Sequence, residues 1–145
     1  MISWKIKYYN QLSRDLLYLI LKTRQQVFII EQNCNYLDAD GLDLYSTHLM
    51  AYFQDELIGY LRIVQSGKIY DTISWGRILV KKSFRKKGYG KAIIQKAIEL
   101  LPPNSAVTIS AQLYLQKFYE YFNFKALGDT FLEDDIPHIK MIKNA

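Results

Sequence analysis

The stretch Ile78-Leu79-Val80-Lys81-Lys82-Ser83-Phe84-Arg85-Lys86-Lys87-Gly88-Tyr89-Gly90-Lys91 concentrates more chemistry than any other part of this chain. An apolar run leads into a basic turn with two glycines. Beyond it Ile93, Ile94, Ala97, Ile98 and Leu101 recur at helical spacing from Gly90. Such a turn suits an anion. A helix N-terminus offers unpaired backbone N–H groups and a partial positive charge, and glycine lets a phosphate come close to the backbone. Arg85, Lys86, Lys87 and Lys91 add positive charge around it. The plainer reading is a solvated basic turn between a strand and a helix. Two phosphate-loop patterns do not fit. A Walker loop ending at Gly90-Lys91 needs glycine at position 85 and Ser or Thr at 92, where Arg85 and Ala92 stand. A dinucleotide G-x-G-x-x-G needs glycine at 93, which is Ile93.

A second concentration of charge is Asp38, Asp40 and Asp43. An EF-hand would place its first and last ligands at Tyr36 and Thr47, neither of which can serve. The default is a solvated acidic loop; the functional alternative is a negative rim that collects a cationic substrate. No set of His and Cys has metal-ligand spacing, so no metal is expected. Cys34, the single cysteine, reads as a packing residue and excludes an intrachain disulfide.

The elements that must position these groups can be read from periodicity. Trp4 to Tyr8 alternates as a strand, and Ser13 caps a helix bearing Leu17, Ile20, Leu21, Val27 and Phe28 that ends near Gln32. Asn33 to Ser46 reads as a long polar loop. Strands follow at Leu49–Gln54 and Leu57–Val64, joined at Asp55-Glu56, and at Ile73–Val80 after the turn Ser66-Gly67-Lys68. The helix from Gly90 is stopped by Pro102-Pro103. A strand at Val107–Ala111, a helix with Leu115, Phe118, Tyr119 and Phe122 on one stripe, and strands at Phe124–Leu132 and His138–Ile142 around the acidic turn Glu133-Asp134-Asp135 close the chain. The order predicts a single α+β domain over residues 1–145 with a mixed, mostly antiparallel sheet flanked by helices.

Composition agrees. With 145 residues, half of them hydrophobic, and a net charge of +5, the chain suits one folded domain and an anionic ligand rather than disorder or a nucleic-acid-coating tail. The longest apolar stretch, Leu16–Leu21, is far below the ~20 residues of a membrane span, and the start lacks a signal-peptide pattern, so a cytoplasmic protein with no membrane partner is expected.

The pattern R-x-x-G-x-G at Arg85, Gly88 and Gly90, shortly after a strand ending Ile-Leu-Val, resembles the pyrophosphate loop of the GNAT superfamily of N-acetyltransferases. Phe118-Tyr119-Glu120-Tyr121-Phe122-Asn123-Phe124 resembles that family's F-Y-x-x-x-G-F, with Asn123 replacing the glycine, a residue that tolerates the left-handed conformation. Val27–Cys34, Asp38–Asp43, Gly76–Ile78, Ala111-Gln112 and Glu133–His138 are similar to the ElaA-like bacterial branch, so the resemblance runs from Trp4 to Met141.

The resemblance implies parallel fourth and fifth strands that splay apart to hold acetyl-CoA. It assigns the cofactor's pantetheine arm to Ile78, Leu79 and Val80, and its pyrophosphate to the backbone from Lys86 through Lys87, Gly88, Tyr89 and Gly90 to Lys91. Gln112 falls where many members place an Asn that contacts the cofactor. Direct attack by a primary amine within a ternary complex would use a backbone N–H of Leu79 or Val80 to polarise the thioester carbonyl and Tyr119 as general acid. Tyr119 also lies on its helix's apolar stripe. A glutamate that some members use as base would fall near Ser74 or Trp75, so the base must come from elsewhere: Glu31, Asp38, Asp40, His48 or His138. The acceptor would be a small-molecule or peptide amine, and the protein a monomer or homodimer. Two other readings stand beside this one. One is a coenzyme A sensor without turnover. The other is an RNA-binding module using the basic loop and the 12 Tyr, 7 Phe and 2 Trp.

Overall fold

A computed structural model describes residues 1–145. Seven strands, β1 (Ile2–Tyr8), β2 (Ser46–Phe53), β3 (Glu56–Val64), β4 (Ile73–Val80), β5 (Val107–Gln112), β6 (Lys125–Glu133) and β7 (Ile136–Lys143), form one sheet in the order β1-β2-β3-β4-β5-β7-β6. All neighbours are antiparallel except β4 and β5. Helix α1 (Arg14–Arg24) is capped by the Ser13 hydroxyl, which accepts from the Leu16 N–H at 3.1 Å. It runs on as a π-type helix over Gln25–Glu31. Helix α2 spans Tyr89–Glu99, and a short α3 spans Gln116–Glu120. The α+β class and the mixed sheet expected from the sequence are present.

Alternation along the central strands sends side chains to two cores. On β2, Leu49 and Ala51 join Ile58, Leu61, Trp75 and the α2 residues Ile93, Ile94 and Ala97. Met50 and Tyr52 join Tyr60, Leu79 and the Ile20, Val27 and Phe28 of the first helix. Both faces are covered, which explains why β2 and β3 read as near-continuous apolar runs. The sheet differs from expectation at two places. Strand β2 begins at Ser46, because Ser46 and His48 are buried with their polar atoms satisfied: the Ser46 hydroxyl donates to the Leu42 carbonyl at 2.6 Å. The stretch Asn33–Ser46 holds a 3₁₀ turn at Leu42–Tyr45 and buries Asp38 and Asp43.

What positions the site is a break in β4. Tyr60 pairs with Leu79 but Arg62 with Gly76, so Leu61 faces both Arg77 and Ile78 across a β-bulge. Arg77 there has φ +52°, a left-handed conformation a side chain rarely adopts. A bulge bends its strand and adds twist. Beyond Ile73↔Val107 and Ser74↔Thr108, β4 and β5 pair no further and part.

Candidate active site

The parting of β4 and β5 opens a cleft of about 1010 Å³ that reaches from the N-terminus of α2 past Trp75 to the hairpin between β6 and β7. The Lys81 N–H donates to the Ile58 carbonyl at 2.8 Å, and Val80 is paired with Gly59. Antiparallel hydrogen bonding alternates, so the Leu79 backbone faces β3 and the Val80 N–H and C=O face the cleft. The Val80 carbonyl accepts from Arg85 Nε at 2.8 Å. Of the two expected backbone donors, Val80 is therefore the one with a free N–H toward the cleft; Leu79 is engaged within the sheet. Ile78 and Val80 pack their side chains on the α2 side.

The basic turn closes into a cradle. Lys86 and Gly88 take positive φ, +63° and +85°, which curls the chain before α2. The first intrahelical bond of α2 is from the Ala92 N–H to the Gly88 carbonyl, 3.1 Å, leaving the N–H groups of Tyr89, Gly90 and Lys91 without a helical partner. Lys86 and Lys87 are exposed there. The Lys91 ammonium lies 4.6 Å from the centre of the Tyr121 ring. Arg85 differs from expectation. Instead of offering mobile charge, its guanidinium ties the cradle to the Val80 carbonyl and, through both terminal nitrogens, to Glu31 at the end of the first helix. The Tyr89 ring packs on Phe53 and Phe84 at the edge of the cleft.

Tyr119 lines the cleft while nearly buried. Its ring packs edge-on against Phe118 and Phe124. Burial pushes its hydroxyl well above the ordinary tyrosine value, with Tyr114 adding to the effect, so it holds its proton at neutral pH. Trp75 Nε1, also buried, has no hydrogen-bond partner although its residue lines the same cleft. Gln112 ends β5 and bridges to Gln32 at 3.4 Å.

Across the cleft, Asp38 and Asp43 are buried, Asp40 is partly exposed, and the three do not form a free acidic rim. Three arginines neutralise them. Arg24 Nη1 donates to Asp43 Oδ1 at 2.7 Å, and its Nε stands 2.9 Å from Asp38 Oδ2 in an ion pair whose angle is not that of a hydrogen bond. Arg62 grips Asp40 with two bonds of 2.9 Å, and Arg77 Nε donates to Asp38 Oδ1 at 2.7 Å. Burial pushes the Asp40 and Asp43 carboxyls up, but the bonds and charge of Arg62, and of Arg24 and Arg62, hold them below the ordinary carboxylate value.

The remaining candidate bases separate. His48 is fully buried and does not line the cleft: Nε2 donates to the Asp43 carbonyl at 3.0 Å, and Nδ1 accepts from the Tyr60 hydroxyl at 2.6 Å. Burial lowers its pKa below the ordinary histidine value, so it is a neutral structural group. Asp38 and Asp43 are engaged as described, and Glu31 is paired with Arg85. Asp40 reaches the cleft already held by two arginines. His138 lines the cleft at β7, opposite Gln112. No group of three or more His, Cys, Asp and Glu is placed to hold a metal ion.

A family model described as "Acetyltransferase (GNAT) domain" matches residues 23–145. The chain belongs to the GNAT acetyltransferase family. Protein ElaA of Escherichia coli is 36% identical over 99% of this chain and 97% of its own, and its crystal structure superposes with a TM-score of 0.93. An acyl-CoA N-acyltransferase of Pseudomonas aeruginosa also superposes at 0.93, with 34% identity over 99% of both chains. At 16% identity, an aminoglycoside 6'-N-acetyltransferase solved with coenzyme A shares the fold alone, at a TM-score of 0.70 over 97% of this chain and 96% of its own. No helix of this GNAT domain is long and apolar enough to cross a membrane.

Sequence reasoning missed Arg24, Arg62 and Arg77 as partners of the acidic loop. A signal existed. Arg62 and Arg77 interrupt apolar strands, and a charge on a buried strand demands a counter-charge. The sequence singles out Trp75 only as standing in the place of an acid, and Glu133 only within the acidic turn and the ElaA-like stretch Glu133–His138; the contact of Glu133 with His138 depends on hairpin register.

Proposed function

We propose that this GNAT protein moves an acetyl group from acetyl-CoA to a primary amine by direct attack in a ternary complex. The observation that carries the reading is the cleft between β4 and β5, which runs from the free N–H groups at the start of α2 past the outward-facing Val80 backbone to Tyr119. The family resemblance and the neighbour solved with coenzyme A support the same cosubstrate. Tyr89, Gly90 and Lys91 amides, with Lys86 and Lys87 outside, fit a pyrophosphate. Acetyl-CoA supplies the thioester. The Val80 N–H would polarise its carbonyl, and Tyr119, protonated at neutral pH, would hand a proton to the departing sulfur.

The test is thiol release and acetyl-amine formation with amino acids, polyamines, aminoglycosides and N-terminal peptides as acceptors, beside calorimetric titration with coenzyme A. Turnover with at least one amine supports the reading. Binding of coenzyme A with no turnover across the panel favours a sensor, a reading helped by Ser74 and Trp75 standing where some members carry an acid on β4.

A further inference from the structure

Acetyl transfer needs the acceptor nitrogen to lose a proton before it attacks, and the residues so far described on the cofactor side cannot take it. Ile109 and Ala111 of β5 face the α2–α3 side with Tyr119. Ser110 and Gln112 alternate to the other face, where His138 stands opposite Gln112. The His138 ring is buried and stacked on Phe131 at 6.1 Å and 26°. Its Nδ1 lies 2.7 Å from the Ile136 carbonyl oxygen. That oxygen can only accept, so Nδ1 carries a hydrogen and the neutral ring keeps its lone pair on Nε2. Nε2 faces Glu133 Oε2 at 3.4 Å, while Glu133 Oε1 accepts from the Ser110 hydroxyl at 3.3 Å. Both residues line the cleft. With the ring neutral, a lone pair and a carboxylate oxygen face each other with no donor between them. A primary ammonium, with three N–H donors, fits that position.

We propose that the acceptor's ammonium docks between Glu133 and His138 and that His138 Nε2 takes its proton. This rests on the acetyl-transfer reading above. One N–H bond of the ammonium breaks as the Nε2–H bond forms, leaving a neutral amine and an imidazolium beside the Glu133 carboxylate, an arrangement that stabilises the new charge. The nitrogen lone pair then forms the C–N bond as the C–S electrons go to sulfur. Sulfur takes the Tyr119 proton, the surplus proton on nitrogen returns to the Tyr119 oxygen, and the imidazolium releases its proton to water.

The experiment compares an alkyl amine substrate, cationic at neutral pH, with a fluorinated analogue of the same amine that is largely neutral there. His138→Gln should cut kcat/KM for the alkyl amine by ~10²–10⁴-fold and for the analogue by less than about tenfold, with affinity for coenzyme A unchanged. Glu133→Gln, at a half-exposed side chain, should raise the alkyl amine's KM by about tenfold or more and leave the analogue's nearly alone. Equal losses for the two amines, or wild-type values in either variant, would overturn the assignment. Should His138→Gln fail to fold, Glu133→Gln alone decides by the same comparison. A wild-type protein that binds coenzyme A but acetylates no amine overturns the acetyl-transfer reading, and the ammonium site falls with it.

Discussion

The two walls of the cleft handle charge in opposite ways. On the α2 wall, backbone N–H groups and exposed lysines face solvent with no counter-charge at the helix start, so the positive potential is available to a ligand. On the opposite wall, each of three aspartates is held by two of three arginines, with Arg24 fully buried and Arg62 nearly so. The first wall leaves its positive charge unpaired. The second is complete, and its charges hold the 33–45 loop against the β4 bulge rather than attract anything. A charge run in a sequence therefore says little until its partners are counted.

The largest expected effect is on the open wall. Tyr119→Phe removes one proton donor and keeps the ring contacts with Phe118 and Phe124. If the hydroxyl protonates the departing sulfur, kcat falls by ~10²–10⁴-fold. Only the hydroxyl is lost while the ring stays packed, so stability should change by no more than a surface substitution would change it, about 0.5 kcal/mol. A near-normal kcat with a large loss of stability would reverse the contrast and make Tyr119 a packing residue.

The closed wall should fail in the other direction. Arg24→Met leaves Asp38 and Asp43 with one fewer partner in a buried site, and breaking such a pair typically costs about 3–5 kcal/mol. For a domain of this size that is a melting-point drop of roughly 10 °C, measured by calorimetry. The acid limb should change as well. Asp40 and Asp43 are held below their unfolded value of 3.8, so the stability they contribute is complete above that value and is lost as pH falls through the lower folded values. In Arg24→Met that limb should flatten. An unchanged melting point and acid limb would mean that the cluster is ornament on an already stable loop.

Legibility divides along the same line. Every strand and the α2 helix follow from periodicity, and the cradle follows from two glycines in a basic turn, because both signals are local. The family pattern then places Tyr119 and Val80 at the cleft. Charge matching is not local. Asp38 meets Arg24 and Arg77, residues 14 and 39 positions away, and His48 is silenced by a carbonyl and a tyrosine on different elements. The β4 bulge was hidden too, since Gly76-Arg77 reads as an ordinary interruption of a strand until the pairing with β3 is known.

The smallest expected effect separates the two glycines of the cradle. Gly88 has φ +85°, so any side chain there strains the backbone even though a Cβ would meet open space. A bulky replacement would lower stability and ligand affinity together and could not tell fold from binding. Gly90 is different. It carries no positive φ, and a Cβ there would meet only Phe118 Cζ at 3.7 Å, an ordinary contact. Gly90→Ala therefore suits the helix, and the lost backbone freedom of glycine in the unfolded chain should leave stability unchanged or slightly raised. The same methyl stands beside the free amides of the first turn, where it holds a phosphate away from the backbone. Affinity for coenzyme A should fall by about 0.5–1.5 kcal/mol, the worth of one ordinary hydrogen bond, read by calorimetric titration alongside a melting curve. Stability up and affinity down in one variant would mark the start of α2 as a surface built for a ligand. Unchanged affinity would remove the pyrophosphate from this turn.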